Sequence, residues 1–218
     1  MKIEKLWEEY RFPKCENCKK DCAGHLDYGN LCSNLNYLKE YAQRNYDKNK
    51  ESFVELKKIV GNKNPTIFSF GCGVGLDYLG ATEVFGNKVK YYGIDNYDWA
   101  IKKTKNYKNF QPKLPKTIEF DVGMFVLNGR VENPALSFFN SLFTISNNTN
   151  LEKELINALK TKDSFYLVCD YTINSNYHMP KEEQDFIDKL LKNLKGYFKF
   201  KRFEILEGKG IIIVGEKS

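Results

Sequence analysis

Arginine is nearly missing from this chain: of its 34 basic residues, only Arg11, Arg44, Arg130 and Arg202 carry a guanidinium. That scarcity weighs against a dedicated phosphate-binding surface, because Arg is the side chain whose planar fork pairs bidentately with phosphate. The net charge of +6 is almost entirely lysine, and a solvated Lys face is the better reading of it than a polyanion site. Long apolar runs are missing too. None approaches the roughly 18 residues that cross a bilayer, and Met1-Lys2-Ile3-Glu4-Lys5 has neither the apolar stretch nor the small-residue cleavage site of an export signal. The expectation is a soluble, cytoplasmic protein with no membrane partner. Histidine is limited to His25 and His178, and no internal repeat or low-complexity segment stands out.

What is present bounds the architecture. With 218 residues the chain has room for one good hydrophobic core, or one core with a small appendage. Hydrophobic residues make up 42% and aromatics 15%, a composition that packs rather than stays disordered. The expected division is a Cys-rich N-terminal module with lead helices over 1–59 and a larger domain over 60–218. Ile3, Leu6, Trp7 and Tyr10 recur at helical spacing until Pro13. Between Asn34 and Ile59 the apolar residues predict two helical stretches, interrupted by a polar turn near Asp47 to Lys50. Gly61-Asn62-Lys63-Asn64-Pro65 is a breaker.

Beyond it, short apolar runs alternate with helical stretches, the mark of a mostly parallel sheet covered on both faces. Strands are predicted at Thr66–Phe70, Lys90–Ile94, Thr117–Phe120, Ala135–Phe139 and Phe165–Cys169. Phe198–Ile205 and Gly210–Gly215 flank a short Gly-containing link that fits an antiparallel hairpin. Pro180–Leu194, with Phe186, Leu190, Leu191 and Leu194, reads as the last amphipathic helix. The fold class is therefore α/β: a doubly wound, mostly parallel seven-stranded sheet with an antiparallel C-terminal hairpin, preceded by a small Cys-rich helical module.

The strongest chemical signal is Thr66-Ile67-Phe68-Ser69-Phe70-Gly71-Cys72-Gly73-Val74-Gly75, an apolar strand running straight into alternating glycines. Glycine lets the backbone approach a ligand and turn sharply into the next helix. Leu76 stands where the dinucleotide pattern G-x-G-x-x-G needs its third glycine, which argues against an NAD-linked oxidoreductase. Asp95 ends the second predicted strand and Asp121 the third. The G-x-G-x-G run resembles motif I of the class I, Rossmann-type S-adenosylmethionine-dependent methyltransferases, over roughly residues 60 to 218.

The resemblance implies S-adenosylmethionine as cofactor. It places Ser69, Gly71, Gly73 and Gly75 along the cofactor, Asp95 on the ribose hydroxyls, Asp121 on the adenine amino group and Val122 against the adenine ring. It implies methyl transfer to an unidentified acceptor, whether small molecule, RNA or protein. Two departures stand out. The family's acidic residue two positions before the first glycine, near the amino-acid part of the cofactor, is here Ser69; Asp77 compensates if the next helix begins there. After the fourth strand, Asn140 and Ser141 stand where the methyl-transfer site is lined, without the Pro-Pro pair of many amino-methylating enzymes. Tyr171 joins them as a catalytic candidate at the carboxyl edge of the sheet, with Asp170, Asn174, Tyr177 and His178 in the same polar stretch. The alternative is a catalytically inactive methyltransferase-like binding or assembly module.

Cys15, Cys18, Cys22 and Cys32, with His25 among them, crowd into eighteen residues. Clustered thiols in a reducing compartment bind metal more often than they pair. Zinc is the expected ion and a [4Fe-4S] cluster the less favoured one, with a structural role for the segment. Cys72 and Cys169 read as buried structural thiols.

Overall fold

The structure, a computed structural model, describes residues 29–62, 66–70, 72–86, 89–95, 99–103, 105, 117–119, 135–140, 149–170, 181–205 and 210–218. The elements in chain order are α1 (Leu31–Val60), β1 (Thr66–Phe70), α2 (Leu76–Phe85), β2 (Lys90–Asp95), a short 3₁₀ turn (Ala100–Lys103), β3 (Thr117–Glu119), β4 (Ala135–Asn140), α3 (Thr149–Lys160), β5 (Ser164–Asp170), α4 (Lys181–Leu194), β6 (Phe198–Ile205) and β7 (Gly210–Lys217).

The strands form one sheet in the order β3-β2-β1-β4-β5-β7-β6. Strands β1 to β5 run parallel, whereas β7 is antiparallel to both β5 and β6. The order reverses at β1, which has β2 on one side and β4 on the other. Such a switch point opens a crevice at the carboxyl ends of the two strands, where open α/β sheets take their ligands.

Both faces of the central strands are buried, so their sequences are apolar runs rather than alternations with polar residues. The period of two still sorts them. Phe68, Phe165, Leu167, Ile211 and Ile213 pack on one face against Leu155, Ile156 and Leu159 of α3 and Phe186, Ile187, Leu190 and Leu194 of α4. Ile67, Tyr166, Val168, Ile212 and Val214 pack on the other against Phe53, Leu56 and Val60 of α1 and Ala81 and Val84 of α2. Phe53 and Leu56 are fully buried, worth about 1.5–3 kcal/mol each relative to an exposed position. The last turns of α1 thus belong to the same core as the sheet, and the predicted 59/60 division falls within its final turn.

The predicted break near Asp47 is corrected: α1 is a single helix of 30 residues. No glycine or proline lies between Leu31 and Val60, and the polar stretch serves packing instead of turning. Asn45, Asn49 and Ser52 are buried where α1 crosses α2, so close that a Cβ on Gly80 would lie 3.1 Å from the Lys50 backbone nitrogen. Around the crossing, the Tyr46 hydroxyl donates to Glu83 and Lys50 pairs with the same carboxylate at 2.6 Å. At the start of α1 the Asn30 side chain accepts from the amides of Cys32 and Ser33, satisfying helix N–H groups that have no partner within the helix. No helix among the described residues is long and apolar enough to cross a membrane.

Candidate functional site

The turn after β1 is built by two left-handed glycines, Gly73 at φ 54° and Gly75 at φ 84°, a backbone region that residues with a Cβ enter only at a cost. The Gly75 amide donates to the Cys72 carbonyl at 2.8 Å, and Gly75 is the cap from which α2 starts. The strand-end carboxylate of β2 meets this turn directly: the Gly73 N–H donates to Asp95 Oδ2 at 2.6 Å. Asp95 is buried. Ser69, Gly73, Gly75 and Asp95, widely spaced in the chain, are thus gathered at the carboxyl ends of β1 and β2.

A lid of apolar side chains closes over the turn. Val74, Leu76, Trp99 and Ile101 pack with Leu38, Ala42 and Tyr46 from the first half of α1. A Cβ on Gly73 would come within 3.3 Å of the Trp99 ring, so glycine here serves the packing as well as the turn. Tyr37 meets Trp99 edge-on at 5.4 Å and accepts from the Asn45 amide. Burial raises the Tyr37 pKa, and the nearby Asp95 charge adds to the rise. Asn34 accepts from the Ile101 N–H at 3.1 Å, tying the helix to the segment after β2. Tyr37, Asn34 and Trp99 were not singled out by the sequence. The one signal available was a rare tryptophan four residues beyond Asp95.

Beneath the turn lies a buried polar group of three side chains. Asp77, in the first turn of α2, is 1% exposed and accepts from the Tyr91 hydroxyl at 2.6 Å. Burial pushes its pKa up to about 6, against the opposing pull of Ser69, Tyr91 and the Tyr78 and Asp77 amides. Tyr91 is pushed well above its ordinary value, first by burial and then by the Asp77 charge. Ser69 Oγ lies near enough to bear on both, yet neither it nor Asp77 Oδ1 makes a hydrogen bond of proper geometry among the described residues. The Cys72 thiol, buried and outside any disulfide, fills the space that a Cβ on Gly93 would take, 2.9 Å from its sulfur.

Asn140 ends β4 and pairs in register with Asp170 at the end of β5, one position beyond the Phe70–Phe139 pair. Its backbone therefore lies at the same edge as the glycine turn. Gly71, Asp121, Val122, Ser141, Tyr171, His178, Cys15, Cys18, Cys22 and His25 lie outside the described residues. Cys32 is disulfide-bonded, a form in which its sulfur offers no thiolate to a metal. No group of three or more metal-ligating side chains occurs among the described residues.

No protein-family model matches the chain, and no curated protein matches it by sequence. Solved structures do match. An S-adenosylmethionine-dependent methyltransferase from Aquifex aeolicus superposes with a TM-score of 0.54 at 13% identity, over 82% of this chain and 98% of that one. The fold is that of the class I methyltransferases. A methyltransferase from Clostridium acetobutylicum superposes at 0.52 and 14% identity, over 85% of this chain and 98% of that one. The plantazolicin methyltransferase BpumL, solved with S-adenosylhomocysteine, superposes at 0.53 and 13% identity over 98% and 94% of the two chains. The methyltransferase fold accounts for the sheet order, the antiparallel β7 and the glycine turn at the switch point.

Proposed function

We propose that the chain is an S-adenosylmethionine-dependent methyltransferase whose cofactor lies across the carboxyl ends of β1 and β2. The observation that carries this reading is the contact between Asp95 and the Gly73 N–H at the switch point. It sets a carboxylate, able to accept from two vicinal hydroxyls, beside a turn whose glycines let a ligand approach the backbone. The donor and acceptor set fits an adenosine-containing ligand. Such a cofactor supplies an electrophilic methyl on a sulfonium sulfur; the chain's own residues bind, orient and shield it. Gly71, Gly73 and Gly75 form the cradle, Asp95 takes the ribose, and Asp121 with Val122 takes the adenine. Asn140, Ser141 and Tyr171 line the acceptor side. Displacement at a methyl carbon is helped chiefly by holding donor and acceptor in line, so no strong base is required of this set.

Titration calorimetry with S-adenosylhomocysteine tests the reading. Binding is expected, without competition from NAD, and Asp95→Ala should weaken it by about 1.5–3 kcal/mol, the range for a hydrogen bond to a charged group. An intact, folded protein that ignores the ligand would remove the cofactor assignment.

The N-terminal segment, residues 1–59, is proposed as a metal-stabilised module in its reduced form, with zinc on Cys15, Cys18, Cys22 and Cys32. Elemental analysis of the purified protein should find about one zinc per chain. Absence of zinc from the reduced protein rejects the site.

A further inference from the structure

The sheet ends on β6, which pairs with β7 on one side and has no strand on the other among the described residues. Such an edge leaves a row of backbone N–H and C=O groups open to pairing with another strand. From Lys199 to Glu204 every side chain but Phe200 is exposed. Phe203, opposite Ile212 of β7, is 39% exposed, although it is a large apolar residue.

Charges on an edge strand ordinarily discourage pairing, but here they are of both signs and form a pattern. Lys201 is matched within the chain by Glu216 of β7 at 3.0 Å. Arg202 and Glu204, on either side of Phe203, make no ion pair among the described residues. Because side chains alternate along a strand, these two share one face of the sheet and Phe203 lies on the other.

A second copy of the chain fits this pattern in one register. When identical strands pair antiparallel about a two-fold axis, one residue faces its own copy and its neighbours face each other crosswise. With the axis at Phe203, the two Phe203 rings meet, and Arg202 of each strand faces Glu204 of the other. Two ion pairs result. An axis at Lys199, Lys201, Arg202 or Glu204 sets that charge against its own copy, and an axis at Phe200 sets Lys199 against Lys201 twice. A parallel, in-register pair places every charge beside its copy. Like charges directly opposite destabilise a pairing, whereas opposite charges and aromatic pairs stabilise it.

We propose that β6 is a self-association surface, through which two copies of the chain join antiparallel about Phe203 into one continuous sheet. In the sheet order β6 is four strands from β1, roughly 19 Å at about 4.8 Å per strand. The glycine turns of both copies therefore stay open, and the association does not depend on what binds there.

Analytical ultracentrifugation of the full chain across the micromolar range tests the surface. Wild-type protein should sediment as a monomer and dimer in concentration-dependent equilibrium, and a monomer throughout would overturn the proposal. Arg202→Glu and Glu204→Arg should each weaken association about a hundredfold, since each turns both ion pairs into like-charge pairs. Both positions are exposed, so neither reversal disturbs the core. Mixed in equal amounts, the two variants should recover the dimer, because the acids of one strand then face the bases of the other. The double variant Arg202→Glu/Glu204→Arg should likewise pair with itself. A dimer that survives either single reversal, or a mixture that stays monomeric, would place the contact elsewhere and overturn the pairing.

Discussion

The two halves of the sheet bury different kinds of side chain. Among the described residues, every buried Ser, Thr, Asn or Asp side chain lies between Ser33 and Asp95, and β7 with helices α3 and α4 buries only apolar ones. Along β5, Phe165, Tyr166, Leu167 and Val168 are all buried, and along β7 so are Ile211, Ile212, Ile213 and Val214. Around β1 and β2, Ser69, Asp77 and Asp95 are buried with them. Burying polar groups costs free energy that apolar packing does not. The apolar packing of one half therefore offsets the cost of the polar groups buried in the other.

Two substitutions can break or sharpen that contrast. The larger effect belongs to Phe165, which is fully buried, meets Phe198 edge-on at 5.0 Å, and lies where a Cβ on Gly215 would overlap it. Phe165→Ala should cost about 3–5 kcal/mol of stability, read from urea unfolding, while the folded protein keeps its affinity for S-adenosylhomocysteine. Loss of affinity at full folding would mean that the halves are coupled.

The smaller effect belongs to Asp77 and has the opposite sign. Its pKa is about 6 in the fold against 3.8 as the ordinary value, so between these pH values the folded chain holds a proton that the unfolded chain has released. Stability from this group is full below about pH 4, falls as pH rises through 6, and is flat above that. The fall amounts to at most about 3 kcal/mol at 1.36 kcal/mol per unit. Asp77→Asn should abolish this slope and leave the protein more stable than wild type at pH 8. A wild-type stability that rises over the same window would show Asp77 to be ionised and well satisfied in the fold.

The division also marks what was legible in the sequence. Strands of buried apolar residues declare themselves, and β1 and the start of β7 lie where the runs Thr66–Phe70 and Gly210–Gly215 predict, while the mostly exposed β6 lies at the predicted Phe198–Ile205. The glycine turn and Asp95 were equally plain, because a strand ending in G-x-G-x-G has few uses. The helical crossing was not. Asn45, Asn49 and Ser52 look like a solvated turn until Gly80 of α2 is brought against Lys50, a partnership between residues thirty positions apart. Asp77 was visible as an acid near the turn, but its burial under Ser69 and Tyr91 depends on how α2 packs on the sheet. Trp99 is likewise a tertiary fact: its role comes from the side chain that Gly73 lacks.

Helix α1 has a mechanical consequence. At 1.5 Å per residue its 30 residues make a rod of about 45 Å, clamped near its middle by Tyr46 and Lys50 on Glu83 and sunk at its far end into the core through Phe53, Leu56 and Val60. Its near end begins at the disulfide-bonded Cys32 and carries Asn34 and Tyr37 onto the lid. A rod held at two points cannot swing as a whole, so its near arm is a cantilever that moves only by bending. A displacement of that end is thereby felt at Trp99 and the glycine turn, against which the first half of α1 packs.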